Sequence, residues 1–364
     1  MLPNYWFYII LNQEKETNMK KKIVLLAGGT GGHVFPAIAI SEELTKKKID
    51  HVFLTDTRCE NIIKDHKIDY KVIQSSKFSK KLINFPLIFI KTFHGFLQSL
   101  YFFIYYKPKC IIGFGGYICL PSLLAAKLLR IPIFIHEQNA VMGKANRFYS
   151  KFATKIILGF KKTKYCSDNA IFLGTPVRKD FKMKIKSYNN DKIRILVLGG
   201  SQGAKVFSTI LPKIISHFSK KDLKNIFLIQ QSRKDDILTL TKFYKELNVK
   251  FILKSFFNNI SEEMNKADII ISRSGASTLS EISVCSKPAI LFPLPSAKDN
   301  HQYENSIAFA QHNRCLIFEE DKISIEKITT AIREFIVKPL NTNRKKTIEN
   351  SAEKIIKLLN YEIT

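Results

Sequence analysis

The stretch Ile23-Val24-Leu25-Leu26-Ala27-Gly28-Gly29-Thr30-Gly31-Gly32-His33 decides how the first half of the chain folds. Its five apolar residues have the pattern of a short buried strand, and the glycines that follow end the strand in a tight turn. The segment Pro36–Lys46 then carries apolar residues near helical spacing, and His51–Leu54 is a second apolar strand. This β-α-β order predicts a parallel sheet with helices on its faces.

The same arrangement begins again in the second half of the chain. Ile193–Leu198 is a predicted strand, Gly199–Ala204 is a glycine-rich turn, and a predicted helix follows. A polar stretch, Lys182–Asp191, precedes this repeat and is the predicted domain boundary. A chain of 364 residues also suits two domains better than one. We therefore expect an α/β protein with two doubly wound, Rossmann-like domains, at residues 19–178 and 190–364, and a C-terminal helix able to return to the first domain.

Neither the N-terminus nor the cysteines indicate an exported protein. Residues 1–18 are predicted to be an extension outside the fold, because Met19 opens a run of lysines that leads directly into the first strand. Within the extension, Tyr5–Leu11 is apolar but too short to span a bilayer, and it lacks the basic flank and cleavage site of a signal peptide. The six cysteines form no C-x-x-C pair and no histidine cluster accompanies them. Buried reduced thiols in a cytoplasmic protein are therefore expected instead of zinc sites or disulfides.

The chain is strongly basic, with a formal net charge of +27. Such a charge favours anionic partners, among them nucleic acid, acidic lipid head groups and phosphorylated substrates, although a lysine-rich genome would produce the same excess. No Asp or Glu occurs between Asp69 and Glu137, and in this window Lys and Arg residues alternate with many Phe and Tyr residues. A basic surface interleaved with aromatic side chains is attracted to an anionic membrane.

One apolar segment of that window, Leu82–Tyr106, admits two interpretations. Its length is sufficient for a membrane-spanning helix. Pro86 interrupts its first part, however, and further along Phe93 and Leu97 share one helical face while Gly95 and Ser99 lie on the other. This amphipathic pattern favours a helix that packs on the protein or lies at a membrane surface.

Both glycine-rich turns have the form of an anion-binding site. A turn between a strand and a helix N-terminus presents free backbone N–H groups and the positive end of the helix dipole, which suits a phosphate. Gly28–Gly32 and Gly199–Gly203 both qualify, but neither is a Walker A loop or a G-x-G-x-x-G dinucleotide fingerprint. A tight turn without a ligand remains the alternative for each. His33, at the carboxyl end of the first strand, is a candidate general base and is equally suited to position a phosphate or to cap the helix.

A denser polar cluster lies at Arg273–Glu281 in the second half. Its glycine, serine and threonine residues follow a predicted strand and are able to donate hydrogen bonds to a diphosphate. Glu281, one turn into the next helix, is placed to accept two hydrogen bonds from a ribose diol. Helix capping and stabilisation of the helix dipole are the alternatives for these residues. The following cluster, Asp299–Gln302, suits the hydroxyls of a sugar or an ordinary turn with a helix cap.

Six blocks of this sequence resemble, in the same order, the MurG family of peptidoglycan glycosyltransferases. The blocks are Gly28–Pro36, His136–Asn139, Gly174–Arg178, Gly199–Ala204, Arg273–Ala276 with Ser280-Glu281, and His301-Gln302. The resemblance implies a two-lobed GT-B fold with the active site in the cleft. It implies an inverting transfer of N-acetylglucosamine from UDP-N-acetylglucosamine to the muramoyl sugar of undecaprenyl-pyrophosphoryl-muramoyl-pentapeptide, which converts lipid I to lipid II in peptidoglycan synthesis. It also implies a peripheral protein at the cytoplasmic face of the bacterial inner membrane.

The resemblance also assigns roles to residues of the matching blocks. In the first lobe, Thr30, Gly31 and Gly32 face the donor sugar and the acceptor pyrophosphate, and His33 is the expected catalytic base. On the donor side, Asn139 and Gln302 are expected at the sugar, Arg178 and Ser201 at the diphosphate and the hinge side, and Phe257 at the uracil through its backbone. The nucleotide-binding turn and helix comprise Ala276, Ser277, Thr278, Leu279, Ser280 and Glu281, with Glu281 at the ribose. No metal and no cofactor is expected, because no D-x-D motif follows a strand. Arg178, hydroxyl groups and helix N-termini would stabilise the UDP leaving group instead.

Two other functions fit parts of the sequence. A different UDP-sugar enzyme, such as a glycolipid transferase or a UDP-N-acetylglucosamine 2-epimerase, would share the fold, but the Gly28–His33 block and the basic aromatic lobe favour a lipid acceptor. A non-catalytic module that binds nucleic acid or membrane would explain the charge. That module would leave both glycine loops and Glu281 without a role. No helix-turn-helix, RRM or zinc-finger pattern is present, so no nucleic-acid partner is expected.

Overall fold

The protein is built on two parallel β-sheets. The computed structural model describes residues 23–76, 85–181, 192–200, 205–337 and 350–363. The predicted N-terminal extension, the predicted domain boundary and residues 201–204 of the second glycine turn therefore lie outside the described residues.

In both sheets the first strand in the chain lies inside the sheet, and later strands are added first on one side of it and then on the other. The first sheet contains β1 (Ile23–Ala27), β2 (His51–Thr55), β3 (Tyr70–Val72), β4 (Cys110–Gly115), β5 (Ile133–Glu137), β6 (Lys155–Leu158) and β7 (Ala170–Phe172), in the order β3-β2-β1-β4-β5-β6-β7. The second contains β8 (Ile193–Leu198), β9 (Ile226–Gln231), β10 (Lys250–Lys254), β11 (Ile269–Ser272), β12 (Ala289–Leu291) and β13 (Cys315–Ile317), in the order β10-β9-β8-β11-β12-β13. At such a switch point a crevice opens at the carboxyl ends of the strands, where doubly wound proteins bind ligands.

Helices cover the faces of both sheets, which is why β1, β4 and β5 are buried along their whole length. In the described residues the α-helices are α1 (Gly31–Lys46), α2 (Glu60–Asp65), α3 (Phe85–Tyr106), α4 (Cys119–Leu128), α5 (Lys144–Tyr149), α6 (Lys205–Ser216), α7 (Lys220–Lys224), α8 (Ile237–Glu246), α9 (Ile260–Lys266), α10 (Ala276–Cys285), α11 (His301–Ala310), α12 (Ile325–Val337) and α13 (Ser351–Ile363). The C-terminal α13 packs on the first domain, where Ile355 and Leu359 share a core with α1.

Helix α1 begins at Gly31, earlier than the predicted start at Pro36. The glycines therefore form its first turn, and Pro36 lies inside the helix. Because proline has no N–H, Pro36 makes no hydrogen bond to the carbonyl oxygen of Gly32 one turn earlier, as an ordinary residue would. The Gly32 carbonyl is thus available to a partner outside the helix.

Helix α3 buries its less apolar side. The Ser99 hydroxyl donates to the Gly95 carbonyl at 2.8 Å and lies 2.9 Å from the hydroxyl of Ser122 on α4. A Cβ on Gly95 would come within 1.9 Å of the Gln74 carbonyl oxygen, so a glycine is needed for this close packing. Among the described residues, Pro86–Tyr106 is the one helix that is long and apolar enough to cross a membrane. Its outward face is a row of large apolar side chains: Leu87, Phe89, Ile90, Phe93, Leu97, Tyr101 and Ile104.

Candidate active site

The two switch points meet across the cleft between the domains. The hydroxyl of Ser277, in the first turn of α10, donates to the carbonyl oxygen of Gly32 at 2.8 Å. This is the carbonyl that Pro36 leaves without a partner in α1. The contact places the loop after β1, predicted to face the acceptor, against the turn after β11, predicted to hold the nucleotide.

His33 lies in the first turn of α1 with its ring against β4. Its Nδ1 is 3.2 Å from the carbonyl oxygen of Gly28, which only accepts hydrogen bonds, so Nδ1 carries the proton and Nε2 is the basic nitrogen. Gly115, at φ +118°, makes room for the ring, because a Cβ there would be 2.9 Å from Nε2. Burial lowers the pKa of His33 below the ordinary 6.5, against the raising effects of the bond to Gly28 and of the Glu137 charge. The imidazole is therefore neutral at physiological pH, which is the form that accepts a proton.

Four further residues lie beside the glycine loop Gly28–Gly32, and the sequence pattern does not indicate them. The Asp56 carboxylate accepts from the backbone N–H of Arg58 at 3.1 Å and also binds its guanidinium. That guanidinium lies 5.2 Å from the centre of the Tyr117 ring. Gly116, at φ +94°, packs so closely that a Cβ would come within 2.5 Å of the Gly28 carbonyl oxygen. These residues follow β2 or β4, the neighbours of β1, so the strand order is the signal that locates them.

Arg178 and Glu281 form an ion pair between the end of the first domain and α10. Nη2 of Arg178 is 3.5 Å from Oε1 of Glu281, and both side chains are largely buried. The guanidinium also lies over two aromatic rings, 4.4 Å from the centre of Phe35 and 5.0 Å from that of Phe181. Burial raises the pKa of Glu281 to about 7, although the Arg178 charge lowers it. The predicted diphosphate and ribose contacts therefore lie side by side.

Asn139 and Gln302, the predicted sugar contacts, are each held by neighbouring groups. Asn139 donates from its backbone N–H and from Nδ2 to Oε1 of buried Glu137, at 3.0 Å each. Gln302 accepts at Oε1 from the backbone N–H groups of Ser274, at 3.2 Å, and Leu294, at 3.0 Å. Because these partners are donors only or acceptors only, both amides have a defined orientation.

Open space lies beside the nucleotide turn. Thr278 and Gln302 line a cavity of about 790 Å³ that also borders Gly199-Gly200 and α6. Thr30, at the N-cap position of α1, is exposed, and Gly31 is half-buried. Within the described ranges, no group of three or more His, Cys, Asp or Glu side chains is placed to hold a metal ion.

Other predicted contacts have side chains that do not face open space. Leu279 and Phe257 belong to the core of the second domain. The Ser280 hydroxyl donates to the Ala276 carbonyl at 3.0 Å within α10. A ligand would therefore contact these residues through their backbone. The remaining predicted residue, Ser201, lies outside the described residues.

Known proteins share both domains of this chain. Residues 23–158 match the glycosyltransferase family 28 N-terminal domain, and residues 194–359 match the glycosyltransferase family 28 C-terminal domain. The chain is 39% identical over 349 residues to the UDP-N-acetylglucosamine–N-acetylmuramyl-(pentapeptide) pyrophosphoryl-undecaprenol N-acetylglucosamine transferase of Rickettsia bellii, covering 93% of this chain and 95% of the relative. The chain belongs to the MurG family. The MurG-family enzyme of the same name from Rickettsia canadensis is 36% identical over 346 residues, with the same two coverages of 93% and 95%.

A solved structure agrees with the MurG assignment. The crystal structure of Acinetobacter baumannii MurG has a TM-score of 0.73 at 26% identity, and the match covers 93% of this chain and 99% of that one. A UDP-N-acetylglucosamine 2-epimerase from Neisseria meningitidis has a TM-score of 0.66 at 16% identity over 94% of this chain and 100% of its own, which shows a shared fold alone. The resemblance to MurG and the GT-B fold predicted from the sequence are confirmed, and the protein is a glycosyltransferase.

Proposed function

We propose that this protein transfers N-acetylglucosamine from UDP-N-acetylglucosamine to N-acetylmuramyl-(pentapeptide) pyrophosphoryl-undecaprenol, the reaction for which its relatives are named. The hydrogen bond between Ser277 and Gly32 carries the proposal, because it sets the loop of His33 against the nucleotide turn. In this assignment the first domain, residues 19–178, takes the lipid-linked acceptor, and the second, residues 190–364, takes the nucleotide sugar.

The reaction needs a proton acceptor and a group that stabilises the leaving diphosphate. A sugar hydroxyl is a weak nucleophile, and neutral His33 takes its proton at Nε2 while the oxygen attacks the anomeric carbon. The bond from that carbon to UDP breaks on the opposite face, so a single displacement inverts the anomeric centre. Negative charge then develops on the diphosphate, where Arg178 and the N-terminus of α10 stabilise it.

A transfer assay with radiolabelled UDP-N-acetylglucosamine and the muramoyl-pentapeptide lipid tests this function. We expect release of UDP together with a labelled lipid-linked disaccharide, at the same rate with and without EDTA, since protein cations and N–H groups carry the leaving-group charge. Conversion of the sugar nucleotide without a lipid acceptor would indicate the epimerase alternative. Loss of transfer in EDTA would contradict the metal-independent mechanism.

Binding of UDP-N-acetylglucosamine is expected to strengthen as the pH rises through 7. The ionised carboxylate of Glu281 is the form that accepts two ribose hydroxyls, and its pKa is about 7. Between pH 6 and pH 8 the ionised fraction therefore rises about tenfold, and Kd should fall by up to about the same factor. Calorimetric titrations across this range measure the effect, and Glu281→Gln should bind more weakly with a flat profile. A wild-type Kd that is constant with pH would refute this role of Glu281.

We further propose that α3 holds the protein on the cytoplasmic face of the inner membrane. Its outward row includes Phe89, 70% exposed, and Phe93, 52% exposed. Exposed Lys127 and Arg130 lie at the end of α4, the helix that packs on α3. Apolar side chains of this kind enter the interface while nearby cations attract acidic head groups. The acceptor named for the relatives is itself carried on undecaprenol, a membrane lipid.

Replacing Phe89 and Phe93 together with serine should weaken binding to phosphatidylglycerol vesicles by a factor of at least about 100, because each phenylalanine that becomes buried in the interface contributes about 1.5–3 kcal/mol. Sedimentation with vesicles measures this binding. Leu238→Ser is the matched control, since Leu238 is 77% exposed on α8 of the second domain and should leave binding unchanged. Equal binding by the double variant and the wild type would rule out α3 as the membrane contact.

A further inference from the structure

A buried asparagine, Asn305 on α11, joins three segments from both domains. Its side chain is 0% exposed. Oδ1 accepts from the backbone N–H of Ala140 at 2.7 Å, and Nδ2 donates to Oδ1 of Asn139 and to the carbonyl oxygen of Ser274, at 3.1 Å each. One residue thereby links the loop after β5 in the first domain to the turn after β11 in the second.

The partners of Asn305 determine the orientation of its amide. A backbone N–H only donates and a carbonyl only accepts, so Oδ1 faces Ala140 and one Nδ2 hydrogen faces Ser274. The other Nδ2 hydrogen is directed at Asn139, whose Oδ1 must therefore be the acceptor. If the amide were flipped, Nδ2 would face the N–H of Ala140 and Oδ1 would face the carbonyl oxygen of Ser274. Buried polar groups left without a partner in this way are costly.

Asn139 is held from the other side by its own domain. Its Nδ2 donates to Oε1 of Glu137, and the second oxygen of Glu137 accepts from the backbone N–H of Gly143 at 2.9 Å and from Nδ2 of Asn146 at 2.8 Å. Glu137 is therefore fixed within the first domain alone. Asn139 differs, because among the described residues its Oδ1 is bonded only across the cleft, to Asn305.

Two ion pairs between the domains lie near the hydrogen bonds of Asn305, but they hold the domains together less strictly. Arg147 lies 3.3 Å from Asp299, and Lys164 lies 2.8 Å from Glu304. Their side chains are partly exposed, so each pair contributes little to holding the domains together. The bonds of Asn305 are shielded from water and are correspondingly strict in geometry.

We propose that Asn305 is a positioning residue that couples closure of the cleft to the orientation of the Asn139 amide. The inference rests on the proposed function, in which Asn139 and Gln302 contact the donor sugar. Gln302 lies one turn before Asn305 on α11 and is also bonded to Ser274. Closure therefore assembles the sugar contacts of both domains in one step, and separation of the domains leaves Asn139 without its second constraint.

A double-mutant cycle in the full-length enzyme tests this coupling. Asn305→Ala should lower kcat/KM for UDP-N-acetylglucosamine by about 100-fold, the effect of a misplaced contact, and should leave the affinity for UDP alone nearly unchanged. Asn139→Ala with Asn305→Ala should be no worse than Asn139→Ala, because one residue acts through the other. Asn305→Asp is a second, nearly isosteric variant that loses both N–H donors of the amide. Its kcat/KM should fall as in Asn305→Ala. Glu304→Gln, next to Asn305 on α11, is the matched control and should keep full kcat/KM.

Hydrogen exchange at the Ala140 amide gives a readout independent of transfer. This N–H donates to Oδ1 of Asn305 across the cleft, so it should be protected in the wild type and exchange faster in Asn305→Ala, which removes the acceptor. Additive losses in the cycle, an equal loss of UDP affinity, or unchanged exchange at Ala140 in Asn305→Ala would each overturn the inference. Absence of transfer by the wild type would instead contradict the proposed function, while the exchange measurement would still test the link between the domains.

Discussion

Replacing His33 with glutamine is expected to lower kcat by roughly 10²–10⁴-fold, the usual contribution of a general base, with little change in KM for UDP-N-acetylglucosamine. Nδ1 of the native ring is bonded to the Gly28 carbonyl at 3.2 Å, and Nε2 is left to accept the proton. Glutamine is able to keep the bond to Gly28 but has no basic nitrogen. Steady-state kinetics at saturating acceptor measure both constants.

The pH profile of the same reaction is an independent check on His33. Burial holds its pKa below 6.5, so the native kcat should be constant above pH 7 and fall as the pH drops through that pKa and the ring becomes protonated. This fall should be absent from the residual activity of His33→Gln. His217→Gln, at an exposed histidine of the second domain, should match the wild type in both respects. If kcat and donor affinity decrease together in His33→Gln, His33 is a binding residue.

Replacing Arg178 with alanine is expected to reduce kcat/KM for the donor by roughly 10²–10³-fold, as removal of a group that stabilises developing charge does. The same change leaves the Glu281 carboxyl, whose side chain is 12% exposed, without its cation. The free energy of unfolding should therefore fall by about 3 kcal/mol, the lower end of the range for broken buried pairs, because Glu281 is able to take up a proton. Donor kinetics and denaturant unfolding measure the two effects separately.

Two further variants separate the catalytic and structural parts of Arg178. Adding Glu281→Gln to Arg178→Ala should recover most of the lost stability, since no unpaired carboxyl remains, but should not recover kcat/KM. Arg178→Lys keeps the charge and loses the planar contact between Phe35 and Phe181, so its kcat/KM should be intermediate. An Arg178→Ala enzyme that is less stable but turns over normally would mean that Arg178 serves the fold alone.

Much of the fold follows from local patterns in the sequence. The run Ile23–Ala27 is a strand with the bounds that its apolar residues predict, and the restart at Ile193 is the first strand of the second sheet. Glycine turns after both strands lie at switch points, as the β-α-β order requires. These features depend on residues close together in the chain, which is why periodicity and turn composition are sufficient to predict them.

Features that depend on tertiary packing do not follow from local patterns in the sequence. The pattern of α3 indicates two faces but not that Gly95 and Ser99 form the buried one, because this depends on the small space beside Ser122 and Gln74. The contact between Asn305 and Asn139 spans 166 positions and exists only through the placement of one domain on the other. Neither residue type nor spacing carries that information.

Pro36 makes the Gly32 carbonyl part of the contact between the two domains. With an N–H at position 36, α1 would satisfy the Gly32 carbonyl permanently, and the Ser277 hydroxyl would gain little by approaching it. With proline, the carbonyl accepts the Ser277 hydroxyl across the cleft at 2.8 Å, and water would take the place of that hydroxyl if the domains were to separate. Such an exchange contributes only about 0.5–1.5 kcal/mol. A contact of this strength would favour the arrangement in which the two domains meet, without holding them together irreversibly.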